Sequence, residues 1–176
     1  MNNKQYLTFC LHNLQYGIEA ALVQELFPLP ELTPIIESSV DLIGILNLRG
    51  QIVPIIHLDL LQGNSVNGCH LSDYVIAVQS EGLQFGLIAH QVHEVVEINT
   101  EVVESESPQD FPGNIDTTLI SGIAKRDEGY ILLLNLKTLI PKSDALFTLI
   151  WDAQSQLDSM GTSANSEEQQ LEQVIL

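Results

Sequence analysis

The chain has 176 residues, with 23 Asp plus Glu against 6 Lys plus Arg and a formal net charge of −17. Apolar residues make up 45% of it, enough to bury the core of one domain or two small ones. So acidic a surface repels phosphate backbones and anionic headgroups, which argues against nucleic acid or a membrane surface as partner and favours solubility.

The start, Met1 to Lys4, leads directly into the alternating segment Tyr6-Leu7-Thr8-Phe9, with no apolar stretch of export-signal length. The longest nearly uncharged apolar run, Ile52 to Leu61, is interrupted by Pro54, His57 and Asp59 and is too short to span a bilayer. The expectation is a soluble cytoplasmic protein without membrane insertion, in which Cys10 and Cys69 are reduced thiols, Cys10 half-buried in a strand.

Short strands dominate the pattern. Tyr6 to Leu11 alternates, and Asn13-Leu14-Gln15 turns the chain into Tyr16 to Glu19. Ser38-Ser39 can cap one helical turn over Val40 to Ile43. Ile43 to Leu48 is a strand, and Arg49-Gly50 turns into Gln51 to Leu58, whose apolar run suits burial on both faces. Pro54 inside that run predicts an edge or bulged strand, because proline cannot donate to the ladder. Tyr74 to Gln79 and Leu83 to Ala89 form a hairpin across Ser80-Glu81-Gly82; Leu119 to Ala124 and Tyr130 to Asn135 form another. From Ser143, Leu146, Leu149, Ile150, Ala153, Leu157 and Met160 recur at helical spacing until Gly161, with Trp151 off the middle of the stripe. Residues 143–161 are therefore predicted as a C-terminal helix. Residues 162–176 read as a flexible acidic tail ending in the apolar Leu171, Val174, Ile175 and Leu176, which suit a docking peptide on an acidic tether.

An internal repeat organises the rest. Tyr16-Gly17-Ile18, Val23 and Glu25-Leu26 match Phe85-Gly86-Leu87, Val92 and Glu94-Val95 at an offset of 69 residues. Gly44-Ile45 and Ile52 to Leu58 match Gly122-Ile123 and Tyr130 to Leu136 at an offset of 78, so the second copy carries nine extra residues, placed at the loop-like Ser105 to Gly113. One such unit is too small to bury a good core alone. The reading is two small antiparallel barrels sharing an apolar seam, the first mainly 14–66 and the second mainly 67–135, with the terminal segments crossing over and the break at Gln62 to Ser72.

Enzymatic constellations are absent from the pattern. Neither glycine-rich phosphate cradle occurs, nor a Gly-x-Ser-x-Gly elbow. Cys69-His70 are neighbours that would point apart in a strand. His90, His93 and Glu97 would share one face of a helix as a metal trio, but Val92, Val95, Val96 and Ile98 favour extended chain. His57 suits a satisfied, half-buried histidine, and the carboxylate pairs suit solvated surface. Arg49 stands apart: no Lys or Arg follows it until after Ala124. A turn guanidinium in so acidic a chain either braces the turn through an internal salt bridge or recognises a partner's carboxylate.

The segment Gly44-Ile45-Leu46-Asn47-Leu48-Arg49-Gly50-Gln51-Ile52-Val53-Pro54-Ile55-Ile56 resembles the signature of the CheW-like adaptor family. Tyr16 to Glu19 with Val23-Gln24-Glu25 resembles the family's first hairpin, and Gln84 to Leu87 with Ser121 to Ile123 its second half. The resemblance covers residues 5 to 140. It implies a mainly β fold of two intertwined five-stranded SH3-like barrels, a CheW-like domain over 1–142, no catalytic activity and no cofactor or metal. It implies a scaffold coupling methyl-accepting-type chemoreceptors to a chemotaxis histidine kinase. Val23 and Glu25 match the receptor-facing groove, with Asn47 and Arg49 beside it; Gly17, Gly44, Gly50, Gly86 and Gly122 match glycines that shape the barrels. Two positions depart from the family: His57 and His90 stand where aspartate is usual, which bears on the contacts open to Arg49. The alternative from another class is a ligand- or metal-sensing module built on the groove between the barrels and His57, His90 or His93.

Overall fold

A computed structural model describes residues 2–35, 42–66, 68–105 and 116–140, together with 148, 150, 152, 154 and 155. Ten strands carry the fold: β1 (Asn3–Leu11), β2 (Leu14–Glu19), β3 (Val23–Pro28), β4 (Leu42–Leu48), β5 (Gln51–Ile56), β6 (Tyr74–Ser80), β7 (Leu83–Ala89), β8 (Gln91–Asn99), β9 (Ile120–Arg126) and β10 (Gly129–Leu134). Two single-turn helices, α1 (Leu58–Leu61) and α2 (Leu136–Leu139), follow β5 and β10. Thr148, Ile150, Asp152, Gln154 and Ser155 are α-helical, with Ile150 and Gln154 buried. Among the described residues no helix is long and apolar enough to cross a membrane.

The strands form two five-stranded sheets, in the orders β8-β1-β2-β10-β9 and β3-β6-β7-β5-β4. The repeat explains both. Each copy supplies an antiparallel hairpin, β1–β2 or β6–β7, and three further strands, and each sheet combines the hairpin of one copy with the three strands of the other. Two parallel pairs join the copies at equivalent places, β2 with β10 and β7 with β5. The barrels therefore do not divide at 14–66 and 67–135. One holds 23–89, and the other holds 3–19 with 91–134. Sequence similarity groups strands that descend from one copy; it is blind to which copy's strand each one pairs with.

Burial follows the pleat. The main core joins Phe9, Leu11, Tyr16 and Ile18 of one sheet to Val53, Ile55, Val75, Phe85 and Leu87 of the other, and a smaller cluster fills the second barrel with Tyr6, Val96, Ile131 and Leu133. Phe9 and Tyr16 stack with ring centroids 5.5 Å apart at the centre of β1–β2. Burying surface from both barrels in one cluster makes them thermodynamically one unit.

Two expectations change. Pro54 lies on β5, an interior strand between β7 and β4, not an edge. It is tolerated because its β4 partner Ile45 turns both backbone polar groups to Thr33, and the ladder to β7 begins only at Ile55. Leu42 and Ile43 belong to β4 rather than to a helical turn; Val40, its cap Ser38-Ser39, the insertion at 106–113, Leu146, Leu149, Trp151, Ala153, Leu157 and the 162–176 tail lie outside the described residues.

Gly17 and Gly86 sit where the parallel pairs cross the repeats. A Cβ on Gly17 would lie 3.1 Å from side-chain carbons of both Ile131 and Leu133; on Gly86 it would lie 2.6 Å from Ile55 and 2.8 Å from Val75. Overpacking should therefore be worse at Gly86. Gly86→Ala is expected to cost about 1–3 kcal/mol and Gly17→Ala less, measured as shifts of the urea midpoint at constant m-value.

Candidate functional site

Arg49 and Gly50 form a two-residue hairpin turn with φ of 53° and 84°, the left-handed geometry of a type I′ turn. Asn47 closes it, its Oδ1 accepting the Gly50 N–H at 2.9 Å. Gly50 supplies conformational freedom at no steric cost; Arg49 holds the same region as a non-glycine residue, which projects its side chain off the sheet. The guanidinium donates from Nη2 to Oε1 of Glu25 on β3 at 3.0 Å, and the same nitrogen lies 2.9 Å from Oε2 in the ion pair. The Arg49 side chain nevertheless remains 78% exposed. The internal ion pair is therefore made, and the guanidinium is still presented at the surface.

Val23 packs its half-buried side chain on the main core, two residues before Glu25 on the same strand. Between them Gln24 faces two adjoining hollows. One, about 500 Å³, lies between the barrels and is walled by Glu19 and Leu22 on one side and by Leu134 and Lys137 on the other. The second, about 330 Å³ and strongly polar, runs under the turn between Arg49, Gln51, Gln84 and Gln154. Gln24, Gln79 and Gly82 line both, so one groove leads from the barrel junction to Arg49. Lys137 on α2 reaches Glu81 at 2.9 Å beside this groove.

The predicted residues are thereby divided. Glu25 and Asn47 meet at the Arg49 turn, the first through the ion pair and the second through the Gly50 N–H, and Arg49 alone of the four lines the groove; Val23 packs on the core. Gly44 and Gly122 lie at equivalent places in the two barrels, each flanking a bridge to the chain entering it: Thr33 with Ile45 and Glu104 with Ile123. Gln154 was not foreseen. A polar residue on a predicted helix reads as solvent-facing, but it is 5% exposed and its carboxamide is bonded to the backbone of β5 and β7.

The family model of the CheW-like domain matches residues 5–144. The chain belongs to the CheW-like domain family. It is 27% identical over 82% of its length to the chemotaxis protein CheW of Treponema pallidum, covering 87% of that protein. Against the chemotaxis protein CheW of Klebsiella aerogenes it is 26% identical over 80% of its length and 84% of the relative's. The crystal structure of the scaffolding protein TtCheW from Thermoanaerobacter tengcongensis superposes with a TM-score of 0.71 at 32% identity, covering 83% of this chain and 94% of that one.

The histidines of this CheW-like chain form a second polar feature, at a joint between the barrels. His12, in the β1–β2 turn, meets Asp59 of α1 at 2.6 Å. His57, 2% exposed, caps α1 by accepting the Asp59 N–H on Nδ1 at 3.3 Å. His90 contacts the buried Asp73 at 2.9 Å through Nδ1, while its N–H donates to the Cys10 carbonyl. The rings of His12, His57 and His70 surround that of His90 at centroid distances of 5.0, 6.5 and 5.9 Å. The trio His90, His93 and Glu97 does not assemble. His93 meets the Cys10 thiol and Glu97 bonds Asn3, both from strand β8. Among the described residues no three His, Cys, Asp or Glu side chains are arranged to hold a metal ion. Cys10 and Cys69 are free, and burial pushes both thiols up.

Burial holds the His57 imidazole below its ordinary value of 6.5, reinforced by His90 and His12 and opposed by Asp59 and Asp73. The unfolded chain takes up this proton at the ordinary value, so the contribution of neutral His57 is fully present above that value and is lost as pH falls from it through the lower native one. Melts between about pH 7.5 and 5.5 should therefore fall more steeply for the wild type than for His57→Asn, which keeps an acceptor for the Asp59 N–H but cannot titrate.

Proposed function

We propose that this chain is a non-catalytic cytoplasmic scaffold that couples a methyl-accepting-type receptor to a chemotaxis-type histidine kinase. The observation that carries this reading is the Arg49 turn. A guanidinium is held by Glu25 in a fixed orientation, largely exposed, at the mouth of a groove to which both barrels contribute. Preorganised charge of this kind serves recognition better than stability: exposed ion pairs contribute little to folding, while a positioned arginine is a frequent anchor of interfaces. The chemotaxis and scaffolding roles in the relatives' names point the same way.

The strongly acidic surface adds a selection rule. With 23 acidic and 6 basic residues, non-specific association with other acidic proteins is disfavoured, and a docking partner gains from a basic complementary face.

Recovery of a histidine kinase and a receptor from native cell extract by the tagged full chain tests the class; recovery of neither overturns it. Arg49→Ala is expected to raise the Kd for the kinase's own CheW-homologous regulatory domain about tenfold, equivalent to about 1.4 kcal/mol. The loss of folding stability should stay below about 1 kcal/mol, because the ion pair is exposed. A variant that melts several degrees lower yet binds normally would assign Arg49 to bracing alone.

A further inference from the structure

The two barrels differ at one place that the repeat makes exact to locate. Where the copies join in the first sheet, three consecutive residues of β10 pair with β2: Ile131 with Gln15, Leu132 with Tyr16 and Leu133 with Gly17. Shifted by the repeat offsets, the same seam in the second sheet should pair Val53 with Gln84, then Pro54 with Phe85, then Ile55 with Gly86. The pairing present begins only at Ile55 with Gly86 and continues to Ile56 with Leu87.

A parallel bridge between Val53 and Gln84 needs two bonds: the N–H of Gln84 on the carbonyl of Ile52, and the N–H of residue 54 on the carbonyl of Gln84. The second cannot exist, because residue 54 is proline. The proline leaves the Gln84 carbonyl without a ladder donor, and the first bond is not made either, so three part-buried backbone groups lack their ladder partners: the Ile52 carbonyl, the Gln84 N–H and the Gln84 carbonyl. The Gln154 carboxamide satisfies all three. Its Oε1 accepts the Gln84 N–H at 3.0 Å, and its Nε2 donates to the Gln84 carbonyl at 3.1 Å and to the Ile52 carbonyl at 2.7 Å. A side chain from the C-terminal helix thus stands in for one residue's worth of sheet. Ile150, one helical turn earlier, is buried in the main core and carries the same helix onto the barrel.

Ile52 is the third residue after Arg49, on the strand that leaves the turn, and Gln154 and Arg49 line the same polar recess. We infer that Gln154 is a positioning residue for the Arg49 turn. By tying the start of β5 to β7, the C-terminal helix fixes where the hairpin tip, and with it the guanidinium, stands relative to the groove. The inference rests on the proposed reading of Arg49 for its consequence in binding, but not for its structural content.

The informative substitution is Gln154→Glu. It keeps the size and the acceptor for Gln84 but turns a carboxylate oxygen towards two carbonyls, so the seam should open. In the full-length free chain, the Gln84 amide is expected to lose at least about tenfold in hydrogen-exchange protection, and the Arg49 Nε–Hε resonance to shift. Pro54→Val restores the missing donor and lets the ladder zip as in the other barrel. The double variant Pro54→Val with Gln154→Glu should recover the Gln84 protection and return the Arg49 resonance towards the wild-type position. A role in general stability alone would not be rescued at that distance from the helix. In binding to the kinase's CheW-homologous regulatory domain, Gln154→Glu should weaken the wild type but add nothing to Arg49→Ala, since both act through one guanidinium.

An Arg49 resonance unmoved by Gln154→Glu while Gln84 loses protection would overturn the inference, as would full additivity with Arg49→Ala. If the wild type itself fails to bind the kinase domain, the reading of function fails instead, and the free-chain resonances still decide the role of Gln154.

Discussion

Everything in this molecule depends on the exchange of strands between its two copies. Each hairpin is flanked on both sides by strands of the other copy, β1–β2 by β8 and β10 and β6–β7 by β3 and β5, so neither copy contains the outer partners of its own hairpin. This is why the main core runs through both barrels and why Gly17 and Gly86 leave room, at the crossing strands, for side chains of the other copy such as Ile131, Leu133 and Ile55. A parallel contact between distant segments incurs a large loop-closure cost, which the shared apolar core has to offset.

From that frame the two polar features acquire different characters. The Arg49 groove is built at an open end of the frame: a left-handed turn, an exposed ion pair and a hollow bounded by both barrels. The histidine joint lies between the barrels, where His12 meets Asp59 and His90 meets the buried Asp73. The first has charge facing outward and suits recognition. The second holds the buried His57, whose titration is felt as stability.

The relation between Pro54 and Gln154 connects frame and groove. Proline within an interior strand removes a donor, and the internal repeat provides its own comparison for what that removal does: the other barrel has Leu132 at the equivalent position and an unbroken ladder. The repair comes from a residue 100 positions further along the chain. In this CheW-like barrel Gln154 completes the seam at the start of β5, on the strand that leaves the Arg49 turn.

How much of this was legible in the sequence follows from the range of the forces involved. Hairpins such as Tyr74–Ser80 with Leu83–Ala89 are fixed by alternation and by turn residues a few positions apart, and the duplication is written in Tyr16-Gly17-Ile18 and Phe85-Gly86-Leu87. The Asn47-Leu48-Arg49-Gly50 turn, and with it the family and the two-barrel fold, could be read for the same reason. Three things could not. Strand β3 and the exact span of β8 lack clean alternation and are strands because neighbours pair with them. The division into barrels depended on which copy each strand meets, a matter of closure that local pattern does not encode. The burial of Gln154 and the gathering of four histidines around Asp59 and Asp73 arise only when segments tens of residues apart leave polar groups that something must satisfy. Local propensity determined the elements and their repeat; the requirement that every buried N–H and carbonyl find a partner, met across the whole fold, decided where the functional side chains stand.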